Sequence, residues 1–356
     1  MAETLIIYPN LRYNLNMLKI AVDGGPLKSG DRVRGIGVYT RELLKALKME
    51  GVDVSGSDLS KYDVIHFTRF NPFFISVPFK KPEHVKFVLT IYDLIPLIYP
   101  DHYPPGIRGM INWQINKFLI RKNIDAVITI SETSKKDICR FIGINPSKVY
   151  VTHLAPRPIF RREASQIPGV AEHYRLPEHF ALYVGDVNYN KNIPNLVKSC
   201  KMAKIRLVIV GKQALEIENL NLEHPELSHL KDIDWSGVLR LGFVPDEDLV
   251  KIYNLADVYV QPSLYEGFGL PVLEANAVGI PVVSSKIQAL VEIAEDATLF
   301  ANPESPEDLA EKIKLLLNDS KLKNELIQKG SENAKKYSWK KTAEETDMVY
   351  RKINNF

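Results

Sequence analysis

Residues 261–285 read QPSLYEGFGLPVLEANAVGIPVVSS, and their order of residue types decides the fold. An apolar run, ADVYVQPS (256–263), ends in polar residues, as a buried strand does at a sheet rim. A glycine-rich turn follows. PVLEANAVG then reads as a helix, with Pro271 near its first position and Gly279 just past its end, and PVVSS (281–285) reads as the next strand. Strand, short turn, helix and strand make a βαβ unit of a parallel sheet. The turn leads into a helix N-terminus, where outward N–H groups and the macrodipole suit an anion. Yet glutamates flank it, Glu266 before and Glu274 after. Taken singly, the first reads as a loop acid and the second as a first-turn glutamate favoured by the dipole. Together beside an anion they call for hydroxyls or a cation to hold, and a sugar or ribose diol supplies hydroxyls.

The same alternation runs outward in both directions. LKIAVDGG (18–25), YDVIHF (62–67), VKFVLTIYD (85–93) and DAVITIS (125–131) read as strands of a first α/β layer. GVYTRELLKALKMEG (37–51) reads as a helix ending at glycine, and SETSKKDICRFIG as one capped by Ser131 and stopped by Gly143. Residues 155–180 read as a linker. A second series follows: ALYVGD, IRLVIVG, DIDWSGVLRLGF, ADVYVQPS and PVVSS as strands, with NIPNLVKSCKMA and DEDLVKIYNLA among the helices. Three helical stretches fill residues 305–353. The expected organisation is a first Rossmann-like domain over 1–165, a second over 166–337, and a terminal helix over 338–356 that crosses back to the first. Residues 1–16 carry no pattern and read as an extension.

Composition narrows the function. The chain has 356 residues, 45% hydrophobic and 25% charged, which suits a globular protein of about two domains. No run approaches the ~20 apolar residues of a membrane span, and no signal peptide is legible, so a cytoplasmic location is expected. Two cysteines far apart, Cys139 and Cys200, offer neither a disulfide framework nor a zinc site. The net charge is +3, but residues 1–180 hold 25 Lys/Arg against 17 Asp/Glu. That basic half is compatible with peripheral contact at the inner membrane face or with a solvated surface. Without a dense basic run, nucleic acid is not an expected partner.

The run EGFGLPVLE (266–274), with PS before it and GIPVVSS after it, resembles the donor-site signature of the retaining family 4 glycosyltransferases. Those enzymes have the α/β GT-B fold, two facing Rossmann-like domains with a cleft between them. The resemblance implies that Glu266 contacts the transferred sugar near its reacting carbon, that Glu274 holds the ribose hydroxyls, and that Gly267, Phe268, Gly269 and Leu270 meet the sugar and phosphates. YVGDVNYNKNIPNLVKS (183–199) is similar to the segment opening the donor domain, with Gly185 at its rim and Lys191 in the place of a lysine that reaches the diphosphate. Many members have an arginine where this chain has Asp186. LRLGFVPDEDLVKIYNLADVYVQPS follows the family too, with Phe243 and Val244 where the backbone meets the base.

In the first domain RVRGIGVYTRELLKAL resembles the family's glycine loop, which implies that Gly35 and Gly37, with Arg34 or Arg32, approach the diphosphate or the acceptor. LTIYDLIPLIYPDHYP resembles a segment usually carrying a His-Asp pair; Tyr92 replaces the histidine and Asp93 remains, to orient the acceptor or to cap a turn. His66 and His153 read as structural histidines. The implied activity is hexosyl transfer, with mannose from GDP-mannose the first donor and a UDP-hexose the second, to a glycan or lipid-linked acceptor, without metal or resident cofactor. A nucleotide-sugar epimerase and a non-catalytic sugar-nucleotide-binding protein of the same fold are the competing readings.

Overall fold

The computed structural model describes residues 18–30, 35–54, 58–163 and 169–355. They form two compact units: one contains residues up to Leu94, Pro105–Leu154 and Ser338–Phe356, the other Ile95–Pro104 and Ala155–Tyr337. The chain thus leaves the first unit after Leu154, ahead of the expected residue 165, and the segment 95–104 groups with the second.

The sheet of the first unit is parallel throughout, in the order β1 (Ile20–Val22), β2 (Val64–Phe67), β3 (Lys86–Thr90), β4 (Ala126–Thr129) and β5 (Val149–Val151). Short Val- and Ile-rich strands, covered on both faces, are what such a sheet requires. At the end of β1, Asp23 forms a parallel bridge with Val52, on the flank opposite β2. Ser131 caps the helix Glu132–Ile142 by accepting the Ser134 amide at 3.0 Å, and Gly143 ends it with φ +71. The helix Gly35–Leu47 stops before Gly51, because Lys48 takes the left-handed conformation, φ +56. Gly51 serves packing instead: a Cβ there would lie 2.7 Å from the Cα of Gly24. The last helix, Trp339–Ile353, buries Trp339, Thr342, Ala343, Thr346, Val349 and Tyr350 on one stripe. Its Tyr350 hydroxyl bonds His66 Nδ1 at 2.7 Å, while Thr90 bonds Nε2 at 2.7 Å. Burial pushes this histidine down to about 3, so it is a neutral structural group.

In the second unit the order is β11 (Leu299–Ala301), β10 (Val282–Ser285), β9 (Val258–Gln261), β6 (Phe180–Val184), β7 (Arg206–Val210) and β8 (Val238–Leu241), again parallel. The chain starts in the middle at β6, builds outward to β8, then returns to lay β9 on the other flank. Ligands of such sheets bind beyond the carboxyl ends of the two strands at this reversal, here β6 and β9. DIDWSGVLRLGF is strand only from Val238, because Ser236 donates to Asp234 and Gly237 turns at φ +79. The three-residue strands β5 and β11 carry too little pattern to be read from sequence.

Candidate active site

The rim where β6 and β9 meet is built from backbone outward. Gly185 follows β6 with φ +155; a Cβ there would lie 2.8 Å from the Tyr183 hydroxyl, and one on Gly211, after β7, would lie 2.1 Å from the Gly185 carbonyl oxygen. Only bare backbone fits. The loop beyond makes a single turn, Tyr189–Lys191, ended by Asn192 at φ +57, a conformation asparagine tolerates better than most residues. The Asn192 amide donates to the carbonyls of Pro262 and Pro303 at 2.9 and 2.7 Å. Asn190 accepts the Leu264 amide on its carbonyl at 2.8 Å and donates its side chain to the Tyr265 carbonyl at 3.0 Å. These bonds stitch the loop to residues 262–265.

Stitched this way, the loop delivers Lys191 to Glu266. Lys191 Nζ lies 2.7 Å from Oε1 and 2.9 Å from Oε2, and Glu266 is 7% exposed. Gln261 Nε2 and Ser263 Oγ also donate to Oε1, at 2.8 and 2.7 Å. Behind them the Tyr259 hydroxyl donates to Gln261 Oε1, which directs the Gln261 amide nitrogen at the carboxylate. Three donors therefore fix a nearly buried carboxylate, one of them a cation. That satisfies the rule that buried charge be paired and hydrogen-bonded.

The helix Leu270–Val278 starts immediately after. Gly269 caps it at φ +109, and a Cβ there would come within 2.3 Å of Leu290 Cδ2. Phe268 turns its ring onto Tyr337, 6.1 Å between centroids, so Phe268 offers the rim backbone rather than side chain. Glu274, one turn in, is buried; Arg157 approaches its Oε1 at 3.6 Å and the Tyr253 hydroxyl its Oε2 at 3.4 Å. Burial pushes its carboxyl up to about 7, opposed by Arg157 and reinforced by the nearby charge of Asp246. Arg157 also pairs with Asp246 and lies over the Phe160 ring, 4.9 Å from its centroid.

The structure thus joins Lys191 to Glu266 and sets Gly185, Gly267, Phe268, Gly269 and Leu270 along one rim. Phe243 follows β8 and is exposed, whereas Val244 is buried. Arg157, Gln261 and Ser263 were missed by the sequence reading: the arginine falls in what reads as a linker, and the other two in the QPS that flanks the signature. In the first unit Asp93 follows β3 and is half-buried. Tyr92, standing for the histidine, donates to the Thr68 carbonyl at 2.8 Å and packs edge-on against Tyr39. Gly35 and Gly37 lie in the first turn of a helix rather than in a loop. Arg32 and Arg34 lie outside the described residues. Among the described residues no three His, Cys, Asp or Glu side chains are grouped to hold a metal ion.

Two family models match the chain: Glycosyltransferase Family 4 over residues 57–155 and Glycosyl transferases group 1 over residues 172–333. The chain is 27% identical to O-antigen chain mannosyltransferase B of Escherichia coli, over 74% of this chain and 70% of that one. It is 28% identical to the serotype-specific mannosyltransferase WbdA of the same species over 72% of its length, which spans only 32% of that longer relative. In fold it matches sucrose-phosphate synthase of Thermosynechococcus elongatus, with TM-score 0.62, 22% identity and coverage of 93% of this chain and 82% of that one. It also matches Anabaena HepE in complex with UDP and glucose, with TM-score 0.68, 14% identity and coverage of 94% and 100%. Two parallel doubly covered sheets of this kind, with those neighbours, define the GT-B fold. The chain belongs to the group 1 glycosyltransferases of family 4, and it is a hexosyltransferase.

Proposed function

We infer that the protein is a retaining transferase moving mannose from GDP-mannose to an acceptor hydroxyl in the synthesis of a polysaccharide, glycolipid or cell-envelope glycan. The Lys191–Glu266 pair at the β6/β9 rim carries this reading. A nucleotide sugar brings a diphosphate for the lysine and sugar hydroxyls for the carboxylate, so each partner exchanges the other for a group of the donor. As the bond from the anomeric carbon to phosphate oxygen breaks, its electron pair goes to the diphosphate, whose growing charge Lys191 stabilises. The acceptor oxygen bonds the same carbon from the same face, and its proton passes to the leaving phosphate oxygen. Glu266, held by Gln261 and Ser263, positions the sugar. In this reading Glu274 receives the ribose, Gly185 and residues 267–270 line the diphosphate and sugar, Phe243 and Val244 meet the base, Asp93 orients the acceptor, and Gly35, Gly37 and Arg34 serve the diphosphate or the acceptor. Lysine supplies the charge that a metal supplies elsewhere, and no resident cofactor is needed.

The mannosyltransferase relatives favour mannose. A UDP-hexose is the second reading, favoured by HepE, whose structure holds UDP and glucose. Sugar nucleotides screened by thermal shift, then by acceptor-dependent nucleotide release, separate the two. Stabilisation and turnover with GDP-mannose support the first; the same response confined to a UDP-hexose replaces it with the second. Excess EDTA is expected to leave turnover unchanged, and a loss restored by added metal overturns the metal-free mechanism.

A further inference from the structure

In the first unit the helix Gly106–Asn123 carries large apolar side chains on both sides. Its inward side buries Leu119 and Ile120 and also carries asparagines. Asn112 donates to the Phe73 carbonyl at 2.9 Å, Asn116 to the Phe74 carbonyl at 2.6 Å, and Asn123 to the Pro78 carbonyl at 2.8 Å. Its outward stripe, at helical spacing, is Ile107, Met110, Ile111 and Phe118, with Ile107 82% and Phe118 61% exposed. A surface helix of a soluble protein ordinarily keeps its outward side polar.

The asparagine ladder has a second effect. It pins the loop 71–79 against the helix, and Gly109 permits the approach, since a Cβ there would lie 3.3 Å from Phe73 Cβ. Held so, the loop presents Phe74, Ile75 and Phe79 to solvent. Half of the large exposed apolar side chains among the described residues belong to this helix and loop. A concentration of that kind marks an interaction surface.

Charge selects the occupant. Residues 71–82 and 102–124 contain no Asp or Glu, but include Lys80, Lys81, Arg108, Lys117, Arg121 and Lys122. Lys81 pairs with Asp125 and Arg121 donates to the Ile142 carbonyl. Lys80, Arg108 and Lys122 stand exposed beside the apolar stripe, and Lys122 lies over the Phe118 ring, 5.6 Å from its centroid. A second copy docking symmetrically through this face would set one basic rim against another. An anionic bilayer meets both features: its acyl boundary takes the apolar stripe and its phosphates take the rim. Among the described residues no helix is long and apolar enough to cross a membrane, so the contact is an interfacial one.

We propose that the face formed by the helix Gly106–Asn123 and the loop 71–80 docks the protein onto anionic lipid bilayers. The proposal needs neither donor nor acceptor and stands apart from the assignment of the transferred sugar. Its test is co-sedimentation of the full chain with vesicles of phosphatidylcholine alone and of phosphatidylcholine with phosphatidylglycerol. Binding is expected only to the anionic vesicles, weakening as salt rises. The variant Ile107→Ser/Ile111→Ser/Phe118→Ser should bind them about 10-fold more weakly, and Arg108→Glu/Lys122→Glu should lose at least as much. Both variants should keep the wild-type melting temperature; if the serine variant unfolds, the charge variant, altered only at exposed positions, carries the test. Equal binding to neutral and anionic vesicles, or unchanged binding by the charge variant, overturns the proposal. So does a concentration-dependent dimer in light scattering that the apolar substitutions abolish, because it identifies a second copy as the occupant.

Discussion

The two units use the end of their first strand in different ways. After β1 the chain runs Asp23–Gly24–Gly25: the Asp23 carboxylate accepts the Gly25 amide at 2.9 Å, and Gly24 meets Gly51 backbone to backbone. After β6 it runs through Gly185 into a loop whose side chains reach across the reversal of the sheet to Glu266. One strand end is filled by the protein's own backbone. The other carries a charged pair that a ligand can divide. Similar sheets therefore do not make similar sites; the residues on the loop do.

The sharpest challenge to that contrast is Gly269→Ala. Left-handed backbone and a 2.3 Å approach to Leu290 Cδ2 should cost about 3 kcal/mol of stability, read by thermal or urea unfolding. An unchanged midpoint would mean that the start of the helix is far more yielding than its geometry implies. Next in size, Lys191→Ala should lower kcat about 10²-fold, the usual consequence of removing one group that stabilises a developing anion. Wild-type turnover would move leaving-group stabilisation away from the β6 rim.

Glu274 provides a smaller effect with a defined sign. Its carboxyl lies at about 7, above its ordinary 4.5, so the folded protein holds this proton more tightly than the unfolded chain. Stability attributable to Glu274 is greatest below pH 4.5 and falls as pH rises to about 7. In the proposed role of Glu274 the ionised carboxylate is the stronger acceptor for ribose hydroxyls, so donor nucleotide affinity should rise up to about tenfold between pH 6 and 8. Calorimetry of wild type beside Glu274→Gln checks this, and an equal pH response in both would refute the ribose assignment. Smallest is Asp23→Ala, which removes one acceptor and should cost about 1 kcal/mol with kcat preserved. A large drop in kcat would show that the first unit's strand end is also catalytic.

Where local chemistry marks an element, its limits were legible in the sequence. Ser131 and Gly143 bracket one helix, and Pro271 and Gly279 another, because capping depends on neighbours a few residues away. The expected end at Gly51 failed because that glycine answers to Gly24 across the fold rather than to its own helix. The helix Gly106–Asn123 went unread for another reason. With apolar residues on both sides and asparagines inward, it lacks the periodicity that reveals a buried stripe. At the site, the resemblance named Lys191 and Glu266 but assigned them separate parts of a ligand; their pairing across 75 residues depends on the loop stitched by Asn190 and Asn192. Arg157 was illegible because its partners Asp246 and Glu274 are distant in sequence and its surroundings read as a linker.

The abutment of Gly185 and Gly211 also limits how this rim can diversify. A methyl group on Gly211 would displace the Gly185 carbonyl and one on Gly185 would meet the Tyr183 hydroxyl, so single substitutions there do not offer a route to new chemistry. The half-buried Asp186 is the adjacent position that already carries a side chain. Its identity becomes a natural dial for the polarity of the β6/β9 rim, adjustable by one residue while the scaffold on either side stays fixed.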